Sequence, residues 1–97
     1  MSSPVIAQAE DEPDLSDTEA RALFESLRLH RREVARAEGV PPYVVATDRA
    51  LRDIAALRPG SRAELEQAHG IGPAKAARYG AGLLEVVRLH REGSAAR

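Results

Sequence analysis

Apolar residues recur at helical spacing along most of the chain after residue 16. In the first such segment they form one stripe, made of Ala20, Leu23, Phe24, Leu27, Val34 and Ala35. This spacing predicts an amphipathic helix of about six turns. Ser16-Asp17-Thr18-Glu19 has the composition of a capping box at its start, and Gly39 suits the left-handed position that ends a helix.

The pattern changes at Val40-Pro41-Pro42-Tyr43-Val44-Val45. The two prolines fix φ and remove two backbone donors, so we expect an extended or polyproline-like segment. A β-strand is rejected despite the β-branched residues, because no second strand is predicted with which it could pair.

Helical spacing returns after the prolines. Thr47 or Asp48 is placed to cap a second helix, which Arg58-Pro59-Gly60 ends. Its buried face is predicted to hold Leu51, Ile54 and Ala55. Ser61-Arg62-Ala63-Glu64 is a second capping box and opens a short helix that turns Leu65 and Ala68 inward.

The last apolar segment follows a turn at Gly70-Ile71-Gly72, with Pro73 well placed as the first helical residue. Its apolar stripe, made of Ala76, Tyr79, Leu83, Leu84 and Val87, extends to about His90. Because Gly80 and Gly82 interrupt it, we expect a break or kink near Gly80.

Together these segments predict an all-α domain of five short helices without a sheet. We assign residues 1–15 to a disordered acidic arm or linker, residues 16–92 to the domain and residues 93–97 to a frayed C-terminus.

Charge is segregated along the chain, and the net charge of −1 hides this. The first 17 residues hold five acidic residues and no basic one. Residues 18–97 hold all 14 Lys and Arg against 10 Asp and Glu, a net charge of +4. A mildly basic domain is compatible with a polyanionic ligand. The acidic arm is either a plain linker or a competitor of DNA for the basic face.

Composition excludes several function classes. Ninety-seven residues make one domain, and the chain has no cysteine, so disulfides, thiolate metal sites and a cysteine nucleophile are excluded. The three histidines lack ligand-like spacing, and neither a P-loop nor a G-x-S-x-G motif occurs. We therefore expect no catalytic residue, no metal and no cofactor. The apolar runs are also too short to span a membrane.

The most specific local motif is Leu65-x-x-Ala68-x-Gly70-Ile71-Gly72-x-x-Lys75, which resembles a helix-hairpin-helix element. Two glycines allow a sharp turn and close approach of another molecule. The amides at Gly70 and Gly72, the following helix N-terminus, Lys75 and Arg78 form a possible phosphate cradle. The alternative is a compact turn with Ile71 in the core.

Two further features are candidates for nucleic-acid binding. Arg28, Arg32 and Arg36 are spaced by four on one side of the first helix and can follow a phosphate backbone. Glu25, Glu33 and Glu38 lie between them, so a solvated, ion-paired face is the alternative. Tyr43 lies between apolar and proline residues, where it can stack a base or pack across the helices.

The order and spacing of four motifs resemble the HRDC (helicase and ribonuclease D C-terminal) family. They are Leu27-Arg28, the segment from Gly39 to Val45, Asp48-x-x-Leu51, and Gly70-Ile71-Gly72-x-x-Lys75-x-x-x-Tyr79-Gly80. They cover residues 18–90, and the Val-Pro-Pro-Tyr-Val-Val segment is closest to the C-terminus of bacterial RecQ helicases. Family members often have aromatic residues at the positions of Ala46 and Leu83.

This resemblance implies a non-catalytic five-helix module of a RecQ-type ATP-dependent DNA helicase. It would bind single-stranded or branched DNA weakly and tune substrate choice in DNA repair and recombination. We expect a monomer in the bacterial cytoplasm, associated with the nucleoid and not with a membrane. Two alternatives are a protein-interaction module that docks on the helicase core or a partner, and an accessory domain of a ribonuclease D or UvrD-type protein. In a processing ribonuclease the domain would bind structured RNA.

Overall fold

The computed structural model describes residues 17–95 and is all-helical in that range, which confirms the predicted fold class. Its helices are α1 (Thr18–Glu38), α2 (Pro42–Val45), α3 (Asp48–Leu57), α4 (Arg62–Leu65) and α5 (Pro73–Ala95). The predicted acidic arm, residues 1–15, lies outside the described residues. The domain boundaries therefore remain predictions.

Helix α1 begins one residue later than predicted. Asp17, and not Ser16, is its N-cap, and its carboxylate accepts a hydrogen bond from the amide of Glu19 at 3.0 Å. A carboxylate caps a helix as well as a hydroxyl does. Its negative charge is also stabilised by the partial positive charge at the start of the helix. The predicted end is confirmed: Gly39 has φ +70°, and the amide of Val40 donates to the carbonyl of Ala35 at 3.0 Å, which completes a Schellman motif.

The segment after Gly39 corrects a prediction. It was expected to be extended throughout, but only Pro41 has polyproline-like angles, and Pro42–Val45 form one helical turn. Proline at the first helical position has the required φ, and its missing donor is not needed there. Pro41 stays extended because it precedes another proline. The rejection of a strand was right.

Helices α3 and α4 begin at the predicted caps. The Thr47 hydroxyl accepts from the amide of Ala50 at 3.1 Å, and the Ser61 hydroxyl accepts from the amide of Glu64 at 3.2 Å. The Glu64 carboxylate accepts from the amide of Gly60 at 2.7 Å. The two hydroxyls satisfy amides that a helix start leaves without a partner, and Glu64 ties the residue before the Ser61 cap to the helix.

Helix α5 is continuous, and the predicted break near Gly80 is wrong. The helix also continues to Ala95, five residues past its predicted end. Both glycines serve close packing. A methyl group on Gly82 would lie 2.7 Å from Nε2 of His30, and one on Gly80 would lie 3.3 Å from Leu65. The helix count agrees with the prediction only because α2 replaces the helix lost with the break.

Helices α1 and α5 lie side by side and antiparallel. Glu38 at the end of α1 contacts Tyr79 near the start of α5, and Asp17 and Arg91 both reach Arg58 at the opposite end. We call these the Glu38 end and the Arg58 end.

The core is mostly aliphatic, and Phe24 and Tyr79 are its aromatic members. The largest fully buried side chains are Leu23, Leu27, Val45, Leu51, Ile54, Pro59, Leu65, Ile71, Leu83 and Val87. Ala46 and Leu83, where family members often have aromatic residues, are both buried.

Candidate nucleic-acid interface

The arginine row of α1, defined as Arg28, Arg32 and Arg36, is exposed along its whole length. Arg28 forms an i,i+3 ion pair with Glu25 at 3.3 Å. Within residues 17–95, the side chains of Arg32 and Arg36 have no hydrogen-bond or ion-pair partner. The ion-paired alternative therefore applies to Arg28, while two full charges of the row remain available to a ligand.

Arg52 of α3, which was not among the predicted site residues, lies beside the same Phe24 ring as Arg28 of the arginine row. The guanidinium groups of Arg28 and Arg52 lie 5.9 and 5.3 Å from the centroid of the Phe24 ring. Such distances are in the range of cation–π attraction. Arg52 is a basic residue next to the predicted buried Leu51, but its position beside the Phe24 ring of α1 is a tertiary contact that local spacing does not predict.

Tyr43 lies in α2 with 67 % of its surface exposed, and it has no hydrogen-bond partner among the described residues. The alternative in which it packs across the helices is therefore wrong. Leu29 and Val44 are exposed as well, by 58 % and 37 %. Exposed apolar side chains beside cations can contact bases or a protein partner.

The 70–72 segment is a compact turn with Ile71 in the core, as the second of the two alternatives predicted, and its role as a phosphate cradle stays a prediction. Ile71 is buried to 2 % exposure and anchors the turn in the core. Gly70 has φ +76° and lies, like Gly72, on the surface with open space around it. The amide of His69 donates to the Asp53 carboxylate at 2.7 Å, which fixes the turn to α3.

The start of α5 has no side-chain cap, because Gly72 lies before Pro73 where a capping residue would be. The amides of Ala74 and Lys75 are thus among the donors that a helix start leaves unsatisfied. Lys75 has no ion-pair partner in the described part of the chain. The turn therefore presents donors and one free cation on a rigid support.

Arg78 is the one predicted cation whose charge is balanced by a distant carboxylate. Its guanidinium donates to Glu38 at 3.1 Å and to the Tyr79 hydroxyl at 3.1 Å. The hydroxyl of the buried Tyr79 in turn donates to Glu38 at 2.9 Å. Hydrogen bonds from Tyr79 and Arg78 lower the pKa of Glu38, and the Glu38 carboxylate raises the pKa of Arg78.

The predicted site residues therefore fall into two groups. Gly70, Gly72, Lys75 and Arg78 gather at the Glu38 end, where α1 also ends. The arginine row follows the exposed side of α1: Arg36 and Glu38 are two residues apart and do not face the same way. The structure thus places the row and the glycine turn on adjoining faces, not on one flat surface.

Two other kinds of site do not occur in the described part of the chain. No group of metal-ligating side chains occurs among residues 17–95. None of the described helices is long and apolar enough to cross a membrane.

The HRDC domain family model matches residues 20–87 of this chain. The chain belongs to the HRDC domain family. This membership agrees with the motifs at residues 39–45 and 70–80 and makes the chain a small accessory module of helicases, without a catalytic role of its own.

Two helicases with related sequences support the same family membership. The domain is 38 % identical over 73 residues to the ATP-dependent DNA helicase RecQ of Bacillus subtilis, covering 75 % of this chain and 12 % of that protein. It is 41 % identical over 66 residues to UvrD2 of Mycobacterium tuberculosis, covering 68 % of this chain and 9 % of that helicase. The HRDC domain thus spans about an eighth or less of these relatives.

A solved structure has the same fold. It is described as D. radiodurans RecQ HRDC domain 3, and it superposes with a TM-score of 0.69 at 33 % identity. The match covers 72 % of this chain and 92 % of that one. The described helices therefore form a complete HRDC fold.

Proposed function

We propose that this HRDC domain is an auxiliary nucleic-acid-binding module of a RecQ-type ATP-dependent DNA helicase. It binds single-stranded or branched DNA weakly and tunes substrate choice in repair and recombination, in the bacterial cytoplasm and close to the nucleoid. One observation carries the proposal: the side chains of Arg32, Arg36 and Lys75 have no carboxylate partner among residues 17–95, and they lie in the second half of α1 and the first turn of α5.

The roles of the site residues follow from their chemistry. The arginine row contacts phosphates along one strand, and the 70–72 turn with Lys75 and Arg78 holds one further phosphate. Tyr43 stacks a base, for which its exposed ring is suited. Few phosphate contacts on a domain of low net charge give weak, salt-sensitive binding.

A second candidate is a protein-interaction module that docks on the helicase core or a partner. The exposure of Leu29 and Val44 next to the arginine row favours it, because apolar groups among charges are typical of protein interfaces. Charge reversal by Arg32→Glu would then weaken partner binding and leave DNA binding unchanged.

An NMR titration of the labelled domain with a short single-stranded oligonucleotide tests the proposal. At low salt we expect amide shifts at residues 28–36, Tyr43 and residues 70–78, and these should shrink as salt is added. Asp17, Arg58 and Arg91 form the internal control and should not shift. Shifts that ignore salt, or that centre on the Arg58 end, would contradict phosphate contacts. The same titration with RNA of equal sequence separates a DNA preference from an RNA preference.

A further inference from the structure

Glu38 occupies a position that does not favour its own helix. It is the last residue of α1, where the helix dipole places partial negative charge and disfavours a carboxylate. Any stabilisation of the fold by Glu38 must therefore come from a tertiary contact. The structure provides that contact in the cluster of Glu38, Arg78 and Tyr79.

One oxygen of Glu38 serves both partners in this cluster. Oε1 accepts from Nη2 of Arg78 and from the Tyr79 hydroxyl. The guanidinium also lies over the Tyr79 ring, 5.5 Å from its centroid. Arg78 is thereby held in one place, yet 65 % of its side chain is exposed. A ligand can reach the guanidinium, but it meets a charge that is already balanced.

We propose that Glu38 competes with nucleic-acid phosphate for Arg78 and so limits the affinity of this HRDC domain. The inference rests on the proposed function and deepens it, because it identifies a residue that weakens binding. Glu38 is a positioning residue in this scheme, since it acts only through Arg78. The arginine row has no equivalent competitor on Arg32 or Arg36 among the described residues.

The substitution Glu38→Gln separates charge from structure. Its amide oxygen can still accept from the Tyr79 hydroxyl, so the buried ring keeps a partner, while the competing charge is removed. We expect DNA affinity at low salt to rise about twofold to fivefold, the range of one exposed ion pair. The slope of log affinity against log salt should steepen by up to about 0.7, the value of one full phosphate contact on a single strand, because Arg78 no longer shares its charge with Glu38.

The matched control is Glu33→Gln, which removes one negative charge from the same helix at an exposed position without an ion-pair partner among residues 17–95. It should raise affinity less and leave the slope unchanged. The gain of Glu38→Gln should also vanish in an Arg78→Ala background, because the two changes act on one contact. The melting temperature of each variant shows whether the fold is kept.

The outcomes separate this inference from the proposed function. An unchanged slope in Glu38→Gln, an equal gain in Glu33→Gln, or a gain that survives Arg78→Ala overturns the competition. If Glu38→Gln behaves as expected, the competition stands. Failure of the proposed function appears elsewhere, as binding that ignores loss of Arg32 and Arg36. If neither wild type nor Glu38→Gln binds DNA, both proposals are wrong.

Discussion

The Glu38 end and the Arg58 end both carry arginines, but they differ in how much charge they offer. At the Arg58 end, Arg58 pairs with Asp17 at 2.9 Å and with Glu19 at 3.6 Å. Arg88 pairs with both Glu85 and Glu92, which raises its pKa, and lowers that of Glu85.

Arg91 at the same end donates to the carbonyl of Arg58 at 2.6 Å. On the other side of the molecule, Arg32, Arg36 and Lys75 have no such partners among the described residues. A count of basic residues therefore does not measure the charge that a ligand can use. What matters is which cations the fold leaves unpaired.

The largest effect is expected where the Glu38 end is attached to the core. Ile71 is buried to 2 % exposure between two surface glycines. Ile71→Ala should lower the free energy of unfolding by about 2–5 kcal/mol, and Ile71→Val by about 0.5–1.5 kcal/mol. Urea unfolding measures both. A neutral Ile71→Ala would mean that the turn does not depend on its core anchor.

A second experiment sharpens the contrast between free and paired arginines. The double variant Arg32→Ala/Arg36→Ala should reduce the salt slope of DNA binding by about 1.4, which corresponds to two phosphate contacts. The control Arg62→Ala/Arg88→Ala removes the same charge from arginines that pair with Glu66, Glu85 and Glu92. Its slope should hardly change. Equal losses in the two variants would show that only net charge matters.

The smallest expected effect is a pH dependence of stability. It arises at the contact between α1 and α5, midway between the two ends. His30 is half-buried against Gly82, and burial lowers its pKa from the ordinary value of 6.5. The unfolded chain therefore binds a proton more readily than the folded one. Stability is full above the unfolded pKa and is lost as pH falls towards the folded pKa.

The melting temperature should accordingly drop slightly between about pH 7.5 and pH 5.5, a window that lies above ordinary carboxylate titration. His30→Gln cannot take up this proton and should show a smaller drop. Parallel curves for the two proteins would exclude His30 as the cause.

Local signals predicted much of this fold. The caps at Thr47 and Ser61, the end at Gly39 and the proline at the start of α5 each depend on a few neighbouring residues, and each was found. The conformation of the segment at Pro42 could not be predicted in this way, because an extended segment and a first helical turn both accept the fixed φ of proline.

The wrong predictions depend on contacts between distant parts of the chain. Gly80 and Gly82 weaken a helix locally, yet α5 continues because Leu65 and His30 pack closely against them. The pairing of Glu38 with Arg78 joins residues forty positions apart, and no spacing rule predicts it. The sequence could therefore nominate the cations of the site but could not say which of them are neutralised.

The meeting of Asp17 and Arg91 at Arg58 has a geometric consequence. Arg58 holds a left-handed conformation with φ +49°, and contacts from both long helices surround it. Asp17 at the start of α1 and Arg91 late in α5 therefore meet at one side of the domain. The 70–72 turn lies at the opposite end of α5, just before Pro73. At 1.5 Å per residue, the length of helix between Pro73 and Arg91 separates a ligand at the turn from that meeting point by roughly 27 Å.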